Sequence, residues 1–135
     1  MITIIEEVHV PIRSDRDIVS ARQQGREMAA TLGLTTVDQV ATATAISELA
    51  RNILQYAQPG EIILSVIQQN GKRGIMIVAR DDGPGIPDVA LVLQGGYSAS
   101  GGLGLGLSGT RRLMDEFDIV SQVSKGTTVT VKKWR

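Results

Sequence analysis

Hydrophobic residues recur along the chain with two spacings, one typical of strands and the other of helices. Polar stretches rich in Gly and Pro separate these segments. Pro11 is expected to stop the first strand, Gly33 the first helix, and Asn70-Gly71 is expected to turn between two apolar runs. The predicted elements are a strand over 2–10, a helix between 14 and 33, a helix over 36–56, strands over 61–68 and 74–80, a short helix near 88–94, a helix of roughly 106–117, and strands near 118–124 and 127–134.

This order of elements predicts an α/β (α+β) two-layer sandwich, with one mixed β-sheet covered by helices on one face. The chain has 135 residues, enough to bury a hydrophobic core as one domain covering 1–135. No internal repeat or low-complexity tail interrupts the pattern.

The composition argues against several classes of protein. Fourteen basic residues balance fourteen acidic ones without a basic stripe, and the chain holds one Trp, two Tyr and one Phe, so nucleic acid is not an expected partner. Without cysteine there are no disulfides, thiol nucleophiles or Cys-based zinc sites. No signal-peptide pattern and no apolar run of about 18 residues is present, so we expect a cytoplasmic protein with no membrane partner.

A first candidate for chemistry is the segment Glu48-Leu-Ala-Arg-Asn52 in the second predicted helix. Glu48 and Asn52 are four residues apart and therefore project from the same helical face. The preceding residues on that face are small or polar, which leaves room for a ligand. A solvated helix surface is the alternative interpretation of the same pattern.

A second candidate is Asp81-Asp82-Gly83-Pro84-Gly85, which follows an apolar strand. Pro and Gly favour a sharp turn, and a turn alone would explain them. They do not explain the carboxylate at the end of the strand. Such a carboxylate can accept a hydrogen bond from the exocyclic amine of a base.

The third and fourth candidates are both rich in glycine. Gly102-x-Gly104-x-Gly106 precedes a predicted helix, and backbone N–H groups at a helix N-terminus suit phosphate. It is not a Walker A loop, since no Gly-Lys-Ser/Thr follows, and a flexible connector is the alternative. Gly126-Thr127-Thr128 between the last two strands would on its own be an ordinary hairpin turn.

Together and in this order, the four stretches resemble the ATP-binding boxes of the GHKL superfamily. The resemblance covers about residues 35–131. Over longer segments the chain is similar to the RsbT-like serine/threonine kinases of the bacterial stressosome. These segments are Ala43-Thr-Ala-Ile-Ser-Glu-Leu-Ala-Arg-Asn52, Asp81-Asp-Gly-Pro-Gly-Ile-Pro87, Tyr97-Ser-Ala-Ser-Gly-Gly-Leu-Gly-Leu-Gly-Leu107 and Arg112-Leu-Met-Asp-Glu-Phe117.

The resemblance implies a Bergerat ATP-binding fold and a protein serine/threonine kinase that uses ATP and Mg²⁺. Its implied substrates are STAS-domain stressosome and antagonist proteins. Once released from them, such a kinase binds and activates a PP2C-type phosphatase in a partner-switching stress cascade.

The resemblance also implies roles for individual residues. Glu48 would accept or orient the proton of the attacking hydroxyl, and Asn52 would be the metal ligand, a role that suits the oxygen preference of Mg²⁺. Asp81 would accept a hydrogen bond from the adenine amine, with Thr128 assisting through water. Two further sets of residues complete the implied site: Gly83 and Gly85 around adenine, and Gly102, Leu103, Gly104, Leu105 and Gly106 around the phosphates, with Gly101 as a hinge of the lid.

Two features of the sequence depart from the patterns of other GHKL proteins and argue against some of their functions. His9 lies in the first strand, far from every box, so we expect a structural role and no sensor histidine kinase. The lid between Gly85 and Gly101 is short and holds no Lys, which disfavours gating of the gyrase or Hsp90 kind. Two alternatives remain: an anti-sigma factor kinase of the SpoIIAB/RsbW kind that sequesters a sigma factor, and a largely non-catalytic, nucleotide-gated module that activates a phosphatase.

Overall fold

The computed structural model describes residues 1–93 and 103–135, and Gly101 and Gly102 therefore lie outside the described residues. A five-stranded sheet forms one layer and helices form the other. The elements, in chain order, are β1 (Thr3–Ile12), α1 (Asp15–Leu32), α2 (Thr36–Tyr56), β2 (Gly60–Gln69), β3 (Lys72–Asp81), α3 (Val89–Leu93), α4 (Leu103–Leu113), β4 (Glu116–Gln122) and β5 (Gly126–Trp134).

The sheet has the strand order β1-β2-β3-β5-β4, and every neighbouring pair is antiparallel. The predicted mixed sheet is therefore wrong. Two helices connect β1 to β2, so the chain returns in the opposite direction rather than making a parallel crossover. β3 and β4 do run in the same direction, but β5 lies between them and separates them.

Alternation along the strands confirms the two-layer prediction. One set of alternate residues joins the helices in the buried core, including Ile62 and Leu64 of β2, Ile75 and Ile77 of β3, and Val131 of β5. The opposite face of the sheet carries charged groups, and Ile63, Ser65 and Ile67 of β2 are also buried there. There His9 contacts Glu7 and Glu61, and Arg80 also pairs with Glu61.

Several boundaries agree with the sequence and others move. Asn70 and Gly71 form the two-residue hairpin turn between β2 and β3 with φ of 53° and 78°, as predicted. Pro11 does not stop β1, because β1 is an edge strand and an edge strand tolerates a missing N–H donor. The N-cap of α2 is Thr35, whose Oγ1 accepts from the Asp38 N–H at 3.1 Å.

The largest shift concerns α4, which begins at Leu103 rather than near 106 and ends at Leu113 rather than near 117. Gly104 and Gly106 therefore lie inside the helix and do not form a loop in front of it. Glycine has low helix propensity, which is why the sequence indicated a loop. Packing of α4 against α2 provides the tertiary contacts that override this propensity.

Candidate functional site

The middle of α2 brings two polar side chains to one place. Glu48 Oε1 accepts a hydrogen bond from Arg51 Nη1 at 2.8 Å. The two residues are three positions apart in α2 and form an ion pair between partly exposed side chains. Asn52, one turn further along α2, lines a cavity between the helices and the sheet. Glu48 and Asn52 lie on the same face of α2, as predicted, because both contact the same residue of α4.

That residue is Gly106. A Cβ at Gly106 would lie 3.1 Å from Glu48 Oε2 and 3.4 Å from Asn52 Nδ2, so a larger residue would fit only if these side chains shifted by a few tenths of an ångström. The lack of a side chain brings the backbone of α4 directly against the carboxylate and the carboxamide. The Thr110 hydroxyl donates to the Gly106 carbonyl at 2.7 Å and fixes this turn of the helix.

Among the described residues α4 begins at Leu103, and the backbone N–H groups in the first turn of a helix have no intrahelical acceptors. These groups, including that of Gly104, lie at the positive end of the helix dipole. The start of α4 is thus an anion-favouring end whose next turn contacts Glu48 and Asn52 through Gly106.

Asp81 is the last residue of β3. Its Oδ1 accepts the N–H of Gly83 at 2.9 Å and the N–H of Thr127 at 3.2 Å. Burial raises the pKa of the Asp81 carboxyl above its ordinary value, and the two backbone N–H groups offset part of that increase. Both of these hydrogen bonds use the same oxygen, so the second oxygen retains acceptor capacity for a ligand.

Asn52 and Asp81 line the same cavity, which is small, about 70 Å³, and has mostly apolar walls. This volume is below the roughly 300–1,000 Å³ that is usual for small-molecule sites. The described wall residues are Leu49, Asn52, Ile53, Tyr56 and Ala57 from α2 and its end, Ala79 and Asp81 from β3, Pro84, Gly85 and Ile86 from the following loop, Leu107 from α4, and Thr127 and Val129 from β5.

The polar groups of the cavity fit a nucleotide and a hard cation. Within residues 1–93 and 103–135, Asn52 Nδ2 is buried without a hydrogen-bond partner, an arrangement that costs stability unless a ligand atom, such as a phosphate oxygen, accepts from this amide nitrogen. No cluster of three or more His, Cys, Asp or Glu among these residues could hold a metal ion alone. Mg²⁺ bound by one protein oxygen together with phosphates and water is consistent with such a sparse set of ligands.

The predicted site residues do not all lie at the cavity. Asn52, Asp81 and Gly85 line the cavity, whereas Glu48 does not line it but shares its close approach to Gly106 with Asn52. Gly83 packs instead on Ala57 at the end of α2. Gly85 has a φ of 78°, and a Cβ there would collide with the backbone of Gln122, so both conformation and space require glycine.

Thr128 is not brought to the cavity. It pairs across the sheet with Arg80 and Val120, both exposed on the face away from the helices. Thr127, one residue earlier, is buried, pairs with Asp81 and lines the cavity. Because side chains alternate along a strand, a shift of one residue moves the hydroxyl to the other face of the sheet.

Sequence reasoning thus missed Thr127, although a signal existed. Val129 and Val131 mark the buried face of β5, and counting back two residues from Val129 gives Thr127. It also missed Ser121 of β4, whose hydroxyl lies 2.8 Å from that of Thr127. No spacing rule in the sequence connects Ser121 to the four glycine-containing or acidic stretches.

His9 lies outside this site. Its Nε2 contacts Glu7 at 2.6 Å and its Nδ1 contacts Glu61 at 3.4 Å. The hydrogen bond to Glu7 is the main cause of a raised pKa of His9. Among the described helices, none is long and apolar enough to cross a membrane.

Comparison with known proteins gives consistent matches. Residues 37–135 match the family model described as histidine kinase-, DNA gyrase B-, and HSP90-like ATPase. The chain is 52% identical over 125 residues to the serine/threonine-protein kinase RsbT of Bacillus subtilis (strain 168), covering 93% of this chain and 94% of that protein. It is 32% identical over 120 residues to an anti-sigma F factor of Geobacillus stearothermophilus, covering 84% and 81% of the two chains.

A solved structure of the mycobacterial sensor histidine kinase MprB has a TM-score of 0.58 at 18% identity, covering 94% of this chain and 97% of that one. This similarity concerns the fold alone. It agrees with the arrangement of one sheet and one helical layer described above.

Proposed function

We propose that this chain transfers a phosphoryl group from Mg-ATP to serine or threonine of STAS-domain stressosome or antagonist proteins. The chain belongs to the family of histidine kinase-, DNA gyrase B- and HSP90-like ATPases and, within it, to the RsbT-like serine/threonine kinases. When released from the STAS-domain proteins, it binds and activates a PP2C-type phosphatase. The 52% identity over nearly the whole of both chains supports a kinase within a partner-switching system.

The observation that carries this proposal is the contact of α2 with α4. It puts a carboxylate, Glu48, and a carboxamide with an unpartnered nitrogen, Asn52, against a helix turn that has no side chain at Gly106. Phosphoryl transfer needs mainly positioning and neutralisation of charge, and a carboxylate, an oxygen ligand and free N–H groups provide both.

Each residue then has one task. Glu48 accepts the proton of the attacking hydroxyl through the oxygen that Arg51 does not hold. Asn52 offers its side-chain oxygen to Mg²⁺, and the first turn of α4 donates N–H groups to phosphate oxygens. Asp81 accepts a hydrogen bond from the adenine amine. Bound ATP supplies the phosphoryl group, and Mg²⁺ neutralises its charge.

A second candidate is supported by the similarity to anti-sigma F factors. In that case the protein would hold a sigma factor and phosphorylate an antagonist with the same site. The higher identity to RsbT over more of both chains favours the first candidate.

The test is to mix the full chain with Mg-ATP and purified STAS-domain proteins, and to locate phosphoserine or phosphothreonine by mass spectrometry. Glu48→Ala is expected to keep ADP affinity and to lose transfer by about 10²–10⁴-fold, the usual contribution of a general base. Glu27→Ala in α1 removes an exposed carboxylate that does not line the cavity and serves as the matched control.

Three results would change the assignment. Undiminished transfer by Glu48→Ala would remove its role as the base. Co-purification of a sigma factor without phosphorylation of any STAS protein would favour the anti-sigma function. Tight ATP binding and phosphatase activation without any phosphotransfer would favour a nucleotide-gated binding module.

Partner switching is tested separately by titration. Unphosphorylated STAS protein is expected to compete with a PP2C-type phosphatase for this chain, and phosphorylated STAS protein to compete less well. Phosphatase activity measured during the titration reports release. If both proteins bind together without mutual loss of affinity, the switching part of the proposal fails and the kinase part remains.

A further inference from the structure

Ser121 of β4 is a junction between three parts of the site. Its Oγ accepts the backbone N–H of Ile86 at 2.8 Å, which ties down the loop that forms one wall of the cavity. The same Oγ lies 2.8 Å from Thr127 Oγ1 and 3.4 Å from the carbonyl of Gly126. Ser121 does not itself line the cavity, whereas Ile86 and Thr127 do.

Either hydroxyl could be the donor in the contact between Ser121 and Thr127, and the distances favour donation by Ser121. Hydroxyl-to-oxygen hydrogen bonds are usually 2.5–3.0 Å long, so Thr127 Oγ1 is a good acceptor and the Gly126 carbonyl, at 3.4 Å, is a poor one. The Ser121 hydroxyl accepts the Ile86 N–H. If it also donates to Thr127, both of its hydrogen bonds have good geometry. Chains of hydrogen bonds in this sense reinforce one another.

This direction has a consequence for Thr127. Since its oxygen accepts from Ser121, its own hydrogen is free to be donated into the cavity. Asp81 lines the same cavity, and its Oδ1 holds the backbone N–H of Thr127, so the two side chains are fixed relative to each other. The wall therefore presents an acceptor, the Asp81 carboxylate, beside a donor, the Thr127 hydroxyl.

We propose that Ser121 is a positioning residue for base specificity: it directs the Thr127 hydroxyl hydrogen into the cavity, so that the wall matches adenine and opposes guanine. Adenine presents an amine donor beside the N1 acceptor, which complements an acceptor beside a donor. Guanine presents the O6 acceptor beside the N1–H donor, which places like groups together at both positions. This inference rests on the proposed use of ATP and extends it to a residue outside the cavity.

Guanine could still be accommodated if the relay reversed. Thr127 would then donate to Ser121, and the Ser121 hydrogen would have only the carbonyl at 3.4 Å. The free-energy cost of that reversal is the contribution of Ser121 to the preference for adenine over guanine. Asp81 provides the larger share, because a carboxylate repels the O6 of guanine directly.

The experiment measures ADP and GDP binding to the full chain by calorimetry, without any protein substrate. Ser121→Ala is expected to lower the ratio of the GDP to the ADP dissociation constant by about three- to ten-fold, the size of one ordinary hydrogen bond. Ser121→Thr retains a hydroxyl and is expected to restore the ratio. Thr130→Val removes a strand hydroxyl on the opposite face and is the matched control.

A double-mutant cycle separates this role from a structural one. In a Thr127→Val background the relay has no hydroxyl to orient, so adding Ser121→Ala is expected to leave the ratio unchanged. An independent, merely structural effect would instead appear in both backgrounds. Circular dichroism of each variant checks that it is folded, and Ser121→Thr covers the case in which Ser121→Ala is not.

The outcomes distinguish a failure of the proposed function from a failure of the role of Ser121. If the wild-type chain binds neither nucleotide, the proposed function and this inference both fail. If ADP binds and Ser121→Ala leaves the GDP to ADP ratio unchanged, only the role of Ser121 is overturned. If the ratio falls equally in both Thr127 backgrounds, Ser121 acts by another route and the relay is wrong.

Discussion

The two ends of α2 are built in opposite ways. At the N-terminal end every polar group in the contact network has a partner: Thr35 caps the Asp38 N–H, Thr42 donates to the Asp38 carbonyl, and the Asp38 carboxylate lies 3.6 Å from Lys133 Nζ. That ammonium group also lies 3.4 Å from Asp115 Oδ1 and donates to the Leu113 carbonyl at 2.9 Å. The network joins α2, the end of α4 and β5.

The C-terminal half of the same helix keeps a polar group that the described residues do not satisfy. Asn52 Nδ2 is buried without a partner, and the nearby Asp81 has a pKa raised by burial. Such groups reduce stability in the free protein. The comparison indicates that one end of α2 is arranged for stability and the other for binding, and mutations at the two ends should separate the two properties.

The largest expected effect is that of Asn52→Leu. It removes the proposed Mg²⁺ ligand, so phosphoryl transfer to a STAS protein should fall by at least about 10²-fold, in line with the loss of a charge-stabilising group. The free energy of unfolding should be unchanged or higher, because the variant removes an unpartnered buried amide. Radiolabelled transfer and urea unfolding measure the two quantities. A strongly destabilised variant would contradict the division of α2.

The second effect is on pH dependence. Because the pKa of folded Asp81 is raised above 3.8, the folded chain holds this proton more tightly than the unfolded chain. Ionised Asp81 therefore costs stability at neutral pH, and this cost disappears as the pH falls through the raised pKa.

ADP affinity should change in the opposite sense, since the proposed acceptor is the carboxylate. It should fall by up to about ten-fold per pH unit once the pH drops below the raised pKa, as expected for one proton. Calorimetry across the acidic range measures this. Asp81→Asn, which keeps the shape but not the charge, should bind ADP weakly and lack this step. The same step in Asp81→Asn would assign it to another group.

At the other end of α2, Lys133→Met should lower the free energy of unfolding by about 1–2 kcal/mol, because it removes a hydrogen bond to a carbonyl and two partly screened ion pairs. ADP affinity should stay within about two-fold, since the network lies at the far end of the helix from Asn52. Thermal unfolding and calorimetry provide the two readouts. A loss of ADP affinity larger than the loss of stability would show that the two ends are coupled.

The smallest effect tests the register of β5. Thr127→Val should weaken ADP binding by about three- to ten-fold, the value of one hydrogen bond, whereas Thr128→Val should change it by less than about two-fold. The two variants remove the same group from adjacent residues on opposite faces of the sheet. The reverse ranking would restore the assignment of Thr128 that the sequence resemblance implied.

Much of the fold was predictable because its signals are local. The hairpin at Asn70 and Gly71 and the helix stop at Gly33 follow from backbone conformations that these residues favour. The start of α4 was not predictable in this way. Gly104 and Gly106 have low helix propensity, and the contact with α2 that offsets it comes from residues about 50 positions earlier.

The sequence by itself determined the order of elements, the alternation of β5 and the pairing of Glu48 with Asn52 on one helical face, because these depend on spacing within one element. Only the tertiary structure decided that the sheet is wholly antiparallel, that Thr127 rather than Thr128 accompanies Asp81, and that Ser121 touches both Ile86 and Thr127. These facts depend on which strands become neighbours and in which register. That choice is made by burial of the whole core, which no single segment encodes.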